Sequence, residues 1–421
     1  MPTWPSRARA KAPPPSPARP SPRSAVQVLV SQGDQETRVY VRPDTLQPMK
    51  VVNEDDRFFR VVFRLHGELL AGDAGSRLVE LAASWAIVML ITGLCLWWPR
   101  GSVGLAGLAW PRLGGGGRQV LRDLHAVTGF WISLLALFLL LTGLPWAKSW
   151  GGYLKAVRQV AGATQPMDWT TGREDELARR RAFDRGAREA RAAAGHAPVH
   201  HMADRADMAG MDMPAAPMEM AQDALGPLDR LAASVAALRL PEPVLISPPS
   251  RPGAHWTARS ESANRPQRVT LTLDEASGAV LARRGFAEQH WIDQAVAVGV
   301  AAHEGQLFGP INQALGVLTA LGLAIVLVSA VLMWWRRRPL SQLGAPPAAS
   351  AAGVRPAGMA AVVLLFAYLP LLAVSAIVVF LVERLVLRRL PAVAGWLGLA
   401  AGATDGTDQR GMSGPANVGE A

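Results

Sequence analysis

Three histidines stand beside long apolar segments, where an imidazole could ligate a metal ion or a haem iron. His66 and His303 each lie shortly before such a segment, and a glycine follows each of them six positions later, at 72 and at 309. Each segment ends on paired tryptophans, which begin at 97 and at 334, thirty-one positions after the histidine in both cases. This match without gaps indicates a duplicated unit. His125 opens a further apolar segment.

A second set of candidate ligands lies in one polar stretch, residues 196–220. The set consists of imidazoles and thioethers: His196, His200, His201, Met202, Met208, Met211, Met213, Met218 and Met220. These groups are soft to borderline ligands that suit copper, above all Cu(I). Because the stretch has no helical apolar period, a hydrophobic core does not explain it. The alternatives are a site for copper or another soft metal and disordered low-complexity sequence.

Membrane helices are the elements that must position the three histidines. Half of the 421 residues are hydrophobic, and they are concentrated in runs that are long enough to cross a bilayer. These runs cover residues 78–98, 127–146, 311–335 and 357–382. The sequence therefore predicts a mainly α integral membrane protein, with four transmembrane helices in contact with the lipid bilayer.

The net charge of +10 comes largely from arginines that flank the apolar runs. Two short loops carry four arginines each: Arg100, Arg112, Arg118 and Arg122 in one, Arg336, Arg337, Arg338 and Arg355 in the other. An excess of basic residues in short loops is typical of cytoplasmic loops, so the long region between the second and third spans is predicted to be periplasmic. No basic stripe interleaved with aromatic residues occurs, which argues against a nucleic-acid partner. The lone Cys95 excludes a disulfide framework.

Alternation of apolar and polar residues predicts strands outside the spans. The predicted strands cover residues 26–30, 38–42, 49–52, 244–246, 255–259, 268–273 and 279–283, and helical patterns cover 54–70, 173–194 and 225–240. The stretch 1–25 lacks the apolar core of a signal peptide and is expected to be disordered. No flavin or nicotinamide fingerprint is present, and the four glycines at 114–117 follow no strand.

These patterns divide the chain into eleven segments. In order they are a disordered leader (1–25), a partial strand-rich module (26–65), transmembrane unit 1 (66–100), a cytoplasmic loop (101–124), transmembrane helix 2 (125–147), a periplasmic linker with the His/Met-rich stretch (148–224), a second module (225–302), transmembrane unit 3 (303–338), a cytoplasmic loop (339–356), transmembrane helix 4 (357–384) and a tail (385–421).

Four motifs carry a resemblance to a known family. They are LHGELLAG at 65–72, ITGLCLWWPR at 91–100, LHAVTGFW at 124–131 and AHEGQLFG at 302–309. They resemble the PepSY-associated transmembrane family of bacterial inner-membrane proteins, which includes iron-regulated membrane proteins and ferrisiderophore reductases. The resemblance covers roughly residues 26–160 and 225–385 and implies periplasmic α/β PepSY modules. The family usually begins with a membrane helix that opens on a histidine, and the chain is expected to lack that helix.

In the reductase members the resemblance implies haem b, whose iron needs axial imidazoles on rigid helices. His66 and His303 are equivalent in the repeat and precede their spans on the same side, so they are expected to share one haem near the periplasmic face. His125 lies at the cytoplasmic start of its span, and its partner would be the histidine of the absent helix. Glu68 and Glu304 could orient the rings. The alternative is three interfacial histidines bonded to loops or water.

The leading expectation is a haem-b electron-transfer protein that reduces a periplasmic metal species. Such a protein would be a membrane metalloreductase. By resemblance that species is a ferric siderophore or other ferric chelate, or it is Cu(II) if the Met-rich stretch takes part. Two alternatives stay open: a non-enzymatic PepSY membrane protein that regulates or binds a partner such as a metallochaperone, and a copper-handling protein that the spans anchor. The sequence does not indicate the electron donor.

Overall fold

The computed structural model describes residues 8–11, 25–97, 109–114, 116–163, 170–193, 216–339, 342–343 and 356–399. Within these residues four helices are long and apolar enough to cross a membrane. They are Gly72–Trp97, Gly117–Trp146, Pro310–Arg337 and Pro370–Arg389. The predicted fold class, a mainly α membrane protein with four spans, is therefore confirmed.

The helices and the strands are numbered separately, each in chain order. The helices are α1 (Phe58–Glu68), α2 (Gly72–Trp97), α3 (Gly117–Gly143), α4 (Lys148–Val160), α5 (Gly172–Ala193), α6 (Ala216–Ala237), α7 (Trp291–His303), α8 (Pro310–Arg337), α9 (Pro356–Tyr368), α10 (Pro370–Leu385) and α11 (Pro391–Leu397). The strands are β1 (Ala8–Lys11), β2 (Val26–Gln32), β3 (Gln35–Val41), β4 (Pro48–Asn53), β5 (Val244–Ser247), β6 (Trp256–Ser260), β7 (Thr270–Leu273) and β8 (Val280–Arg284).

The chain forms two compact units. Unit 1 comprises Met1–Glu80 and Phe138–Gly316, and unit 2 comprises Leu81–Leu137 and Val317–Ala421. All eight strands belong to unit 1, and they form one antiparallel sheet in the order β4-β3-β2-β1-β5-β6-β7-β8. The strands that alternation predicts are all present in this sheet. The two strand-rich segments, which the sequence places in separate modules, therefore share one sheet.

Strand β1 corrects the expectation of disorder for residues 8–11; the rest of the stretch 1–24 lies outside the described residues. It pairs with β2 through four residue pairs, Ala8 with Val30 through Lys11 with Gln27, and Ala10 and Lys11 also pair with β5. Backbone N–H and C=O groups at a sheet edge bind any strand that reaches them, whatever its side chains. A segment without apolar alternation can therefore complete the sheet, which composition alone does not reveal.

The second half of the sheet packs against α6. Leu231 and Val235 of α6 lie in one buried cluster with side chains of β5, β6 and β7, among them Trp256, Leu271 and Leu273. On β6 the buried residues alternate with half-buried ones, as expected for a strand with one covered face. Because one side of α6 and one side of these strands are buried in this cluster, apolar residues recur with helical and strand periods, which made the pattern at 225–240 and the neighbouring strands recognisable in the sequence.

Charged groups attach α5 to the first half of the sheet. Arg173 and Arg180 both donate hydrogen bonds to the carboxylate of Asp55, and the backbone N–H of Gly33 donates to Asp184 at 3.2 Å. Burial by itself raises the pKa of Asp55, but the two guanidinium groups outweigh it and lower the pKa to about 2. The carboxylate therefore stays charged, and this helix–strand contact stays intact, at any pH well above that value.

The fourth span differs from the prediction of one helix over 357–382. The chain forms α9 and α10 instead, and Leu369 between them has φ −120° and ψ 76°, outside the helical region. Pro370 causes the break, because its ring disfavours a helical conformation at the preceding residue and it has no N–H to donate. The span of membrane length is therefore Pro370–Arg389, which a shorter apolar helix precedes.

A buried ion pair joins α4 to α7. The guanidinium of Arg158 donates two hydrogen bonds of 2.7 Å to the carboxylate of Asp293. Their side chains are only 5% and 12% exposed. Removing one partner leaves the other charge without compensation in a poorly solvated place, which costs about 3–5 kcal/mol.

We therefore expect Asp293→Asn to lower the free energy of unfolding by roughly that 3–5 kcal/mol. The matched control is Arg181→Ala, because Arg181 pairs with Asp34 at 3.3 Å on the surface and such pairs contribute about 0–1 kcal/mol. Denaturant unfolding in detergent, followed by circular dichroism, measures both. Equal losses in the two variants would contradict the assignment of Arg158–Asp293 as a buried structural pair.

Candidate functional site

His303 is the last residue of α7, at the point where the chain turns towards the third span. The helix begins after His290, whose ring accepts a hydrogen bond from the N–H of Ile292 at 3.3 Å, so His290 caps the helix. It ends through Gly305, whose φ of +72° is readily adopted by glycine. Asn312 donates to the carbonyl of Ala302 at 2.8 Å. These contacts fix the helix end on which His303 lies.

The imidazole of His303 is held by a threonine of α3. Its Nδ1 lies 3.0 Å from Oγ1 of Thr142. The Thr142 hydroxyl donates its own proton to the carbonyl of Phe138 at 2.7 Å, so its oxygen accepts from the ring. The neutral imidazole therefore carries its proton on Nδ1 and its lone pair on Nε2. A Cβ on the next residue, Gly143, would lie 3.4 Å from Cε1 of His303, so this glycine makes room for the ring.

The surroundings of His303 favour the neutral form. Burial lowers the pKa of the His303 imidazole below its ordinary value of 6.5, and the nearby positive charge of His66 lowers it further. Glu304 and a hydrogen bond to the carbonyl of Leu139 act in the opposite direction without reversing the shift. A neutral imidazole with a bonded Nδ1–H is the form in which histidine ligates a metal.

His66 lies near the end of α1, in the same unit, and its side chain is exposed. The two acidic neighbours that could orient the rings have other partners. Glu68 accepts from Arg64 at 2.6 Å, and Glu304 pairs with Arg265 at 3.5 Å. Unit 1 thus contains one exposed imidazole, His66, whose positive charge acts on one held imidazole, His303. A haem shared by the two stays a prediction.

His125 is held in the same way within unit 2. Its Nδ1 lies 3.0 Å from Oγ of Ser329 and 3.1 Å from the carbonyl of Val326. A carbonyl only accepts, so Nδ1 carries the proton here too. A Cβ at Gly322 would lie 2.5 Å from Ile132, so α3 and α8 approach each other as closely as a glycine allows. Such close contact is typical of small residues between membrane helices.

Both held histidines bind a hydroxyl that precedes a small residue. The hydroxyl of Thr142, before Gly143, bonds the ring of His303, and the hydroxyl of Ser329, before Ala330, bonds the ring of His125. In the sequence, such small residues within a span indicate only close helix packing. The two hydroxyls are therefore candidate site residues that sequence reasoning missed. A signal existed, since each pair lies in a span and a hydroxyl there needs a local acceptor.

Among the paired tryptophans, Trp97, Trp334 and Trp335 lie at the expected ends of their helices, and Trp98 lies outside the described residues. Trp97 stacks on Phe130 at 4.2 Å between ring centroids. Trp334 and Trp335 are exposed, and the guanidinium of Arg338 lies 5.3 and 4.2 Å from their ring centroids. Aromatic rings with an adjacent cation are typical of a membrane interface belt.

The predicted metal stretch falls largely outside the described residues. His196, His200, His201, Met202, Met208, Met211 and Met213 lie there, whereas Met218 and Met220 belong to the helical backbone of α6. Among the described residues, no group of three or more His, Cys, Asp or Glu side chains is placed to hold a metal ion. The copper site stays a prediction.

The family described as PepSY-associated TM region matches residues 2–337. This match covers the strands, α1 to α8 and all three histidines beside the spans. No curated protein matches the chain. The family match agrees with the resemblance that the four sequence motifs carry.

The arrangement in unit 1 predicts the titration of His303. We expect its pKa below 6.5, and we expect His66→Gln to raise it, because that change removes a positive neighbour. Since the folded pKa is depressed, the neutral ring contributes stability above pH 6.5 that is lost as the pH falls through the folded pKa. NMR titration of histidine-labelled protein measures both values. Titration of His303 at or above 6.5, or no response to His66→Gln, would contradict this account; His255→Gln is the matched control.

Proposed function

Since this chain belongs to the PepSY-associated TM region family, we propose that it is a haem-b electron-transfer protein of a bacterial inner membrane that reduces a metal species outside the cytoplasm. His66 and His303 would hold the haem. Family resemblance favours a ferric chelate as the acceptor. The assignment of the chain as a multi-pass membrane protein of this family rests on the family match and the four spans.

The observation that carries this proposal is the hydrogen bond between Thr142 and Nδ1 of His303. Ligating histidines almost always donate their second ring N–H to an oxygen, which fixes the tautomer and the ring orientation. Thr142 supplies that oxygen at 3.0 Å. The donor set therefore fits a haem iron: one oriented imidazole from α7 and one exposed imidazole from α1, both near the start of a span.

The residues around the site would orient the ring of His303 and keep it neutral. Thr142 orients the ring of His303, and burial of that ring keeps it neutral, so that Nε2 is available as a ligand at neutral pH. Gly143 leaves space beside the ring. When bound, the haem supplies reversible one-electron chemistry, with a potential that depends on its axial ligands and their hydrogen bonds.

His125 is a further candidate ligand, on the opposite end of α3 from Thr142. Its ring is oriented by Ser329 and Val326 in the same manner. The other seven histidines of the chain all lie outside the residue ranges of unit 2. We therefore assign His125 one ligand position at the cytoplasmic end of the span and no histidine partner within its unit.

Haem content tests the pair. Purified membranes should show a b-type Soret band that dithionite reduces, and His66→Ala and His303→Ala should each remove the same low-spin species. His255→Ala, at an exposed position of unit 1, should leave it unchanged. Folded protein in good yield without haem would overturn the proposal in favour of a regulatory role, and loss in only one of the two variants would exclude a shared haem.

A second pair of variants separates orientation from ligation. Thr142→Val should weaken haem affinity by about 10–100-fold, the usual effect of removing a partner that orients a ligand. Thr92→Val is the matched control, because the Thr92 hydroxyl bonds carbonyls of its own helix at 2.7 and 3.2 Å.

Orientation in the membrane follows from the two arginine-rich loops, which we place in the cytoplasm. Unit 1 and residues 196–220 then face the periplasm. In a Cys95→Ala background, a cysteine at Ser102 should resist an impermeant thiol reagent in intact cells, whereas a cysteine at Ser250 should react. Labelling at Ser102 with protection at Ser250 would invert the molecule and exclude a periplasmic acceptor.

Copper handling is the second candidate function, and the His/Met-rich stretch favours it. Thioethers bind Cu(I) and contribute little to Zn(II) binding. A peptide of residues 196–220 should therefore bind Cu(I) more tightly than Zn(II), and replacement of its methionines by leucine should remove most of the difference. Equal affinity for the two ions in the unsubstituted peptide would leave the methionines without a role.

A further inference from the structure

Helix α1 turns its charged side towards the protein and its apolar side outwards. The inward stripe consists of Arg60, Arg64 and Glu68, four residues apart and thus one above another on the helix. Arg60 pairs with Glu176 of α5, and Arg64 pairs with Glu68 at 2.6 Å. A helix on a water-exposed surface has the opposite arrangement, with its apolar stripe packed against the core.

The outward side of α1 is apolar apart from the exposed His66. It carries large hydrophobic side chains that are 36–78% exposed: Phe58, Phe59, Val61, Val62, Phe63 and Leu65. Leu69 and Leu70, which follow the helix, are exposed as well. Clusters of this kind on soluble surfaces mark contacts with a partner or a membrane.

Helix α4 repeats this arrangement at the end of the second span. Its basic residues bind acidic partners: Lys148 contacts Glu174 at 3.3 Å, Lys155 contacts Asp175 at 2.9 Å, and Arg158 contacts Asp293. Its exposed positions are Gly152, Tyr153, Ala156, Val157, Gln159 and Val160. None of these six is charged, and Val160 is 92% exposed.

Both helices continue directly into membrane spans. Three residues, Leu69 to Ala71, separate α1 from the start of α2, and Ala147 alone separates α4 from the span Gly117–Trp146. Since α2 and α3 are consecutive spans, the start of one and the end of the other lie on the same side of the bilayer. Two outward apolar surfaces thus lie next to the membrane, on one side of it.

We propose that α1 and α4 lie in the surface of the bilayer, with their apolar sides in contact with lipid. The occupant is lipid because both surfaces are continuous with spans that lipid already surrounds, and because the arginine, lysine and glutamate side chains of the two helices are paired on the other side. Helices of this kind insert their apolar side about 5–10 Å below the headgroups. The two helices seat unit 1 on the membrane. This inference goes beyond the proposed function and does not require haem.

Spin labels test this contact. In a Cys95→Ala background, single cysteines replace Phe59 on α1 and Val160 on α4, and each carries a nitroxide in protein reconstituted into lipid nanodiscs. The matched control is Ala178→Cys, an exposed neutral position on α5. Collision rates are measured with oxygen, which concentrates in hydrocarbon, and with a water-soluble nickel chelate, which does not enter it.

At Phe59 and Val160 we expect oxygen to collide more often than the nickel chelate, and at Ala178 we expect the reverse. Nickel accessibility at either helix equal to that at Ala178 would show a water-exposed surface and overturn the proposal. Low accessibility to both reagents would show that a protein, such as a second copy of the chain, covers the surface, and that result would overturn it as well. The labelled positions avoid His66, so a failed haem assignment does not alter the outcome.

Discussion

A polar group within a membrane span has no water to bond and must find its partner inside the protein. This constraint determines the candidate site. Thr142 and Ser329 satisfy their hydroxyl protons on carbonyls of their own helices. Their oxygens then accept from the Nδ1 of His303 and of His125. The requirement to pair every polar group thereby leaves each imidazole with a fixed ring and with Nε2 as its remaining ligand atom.

Pairing of charged groups also determines how several elements of unit 1 attach to one another. Several of its buried and half-buried charged side chains are paired inside the unit, as in Arg158–Asp293 and in the contacts of Arg173 and Arg180 with Asp55. These pairs attach α4 and α5 to neighbouring elements and leave the outer sides of α1 and α4 apolar. Ion pairs thus attach α4 and α5, whereas an apolar cluster packs α6 against the sheet, and the outer sides of α1 and α4 stay free for the proposed contact with lipid.

Much of the fold could be predicted from the sequence because it depends on local periodicity. The spans follow from apolar length, and the strands follow from alternation. Pro370 is visible in the sequence, but the length of the apolar run favoured one uninterrupted helix across it. Strand β1 was not predictable, since it depends on backbone groups of β2 and β5 that only the folded sheet brings together.

The candidate site was predictable only in part. The repeat singled out His66 and His303, His125 opens a further apolar segment, and the family resemblance attached haem to all three. The hydroxyls that hold two of these rings lie 161 and 204 positions away from them in the chain. Contacts between residues so far apart in the chain cannot be recognised from the spacing of residues in the sequence. They form only when helices pack at small residues such as Gly143 and Gly322.

The tautomer of the two held histidines tests the central claim most directly. Long-range proton–nitrogen NMR of histidine-labelled protein in nanodiscs at neutral pH, assigned with His125→Gln and His303→Gln, reports which ring nitrogen carries the proton. The hydrogen bonds to Thr142 and to Val326 predict a neutral ring with its proton on Nδ1 in both histidines. A proton on Nε2 in either ring would place the lone pair on the wrong nitrogen and contradict the account.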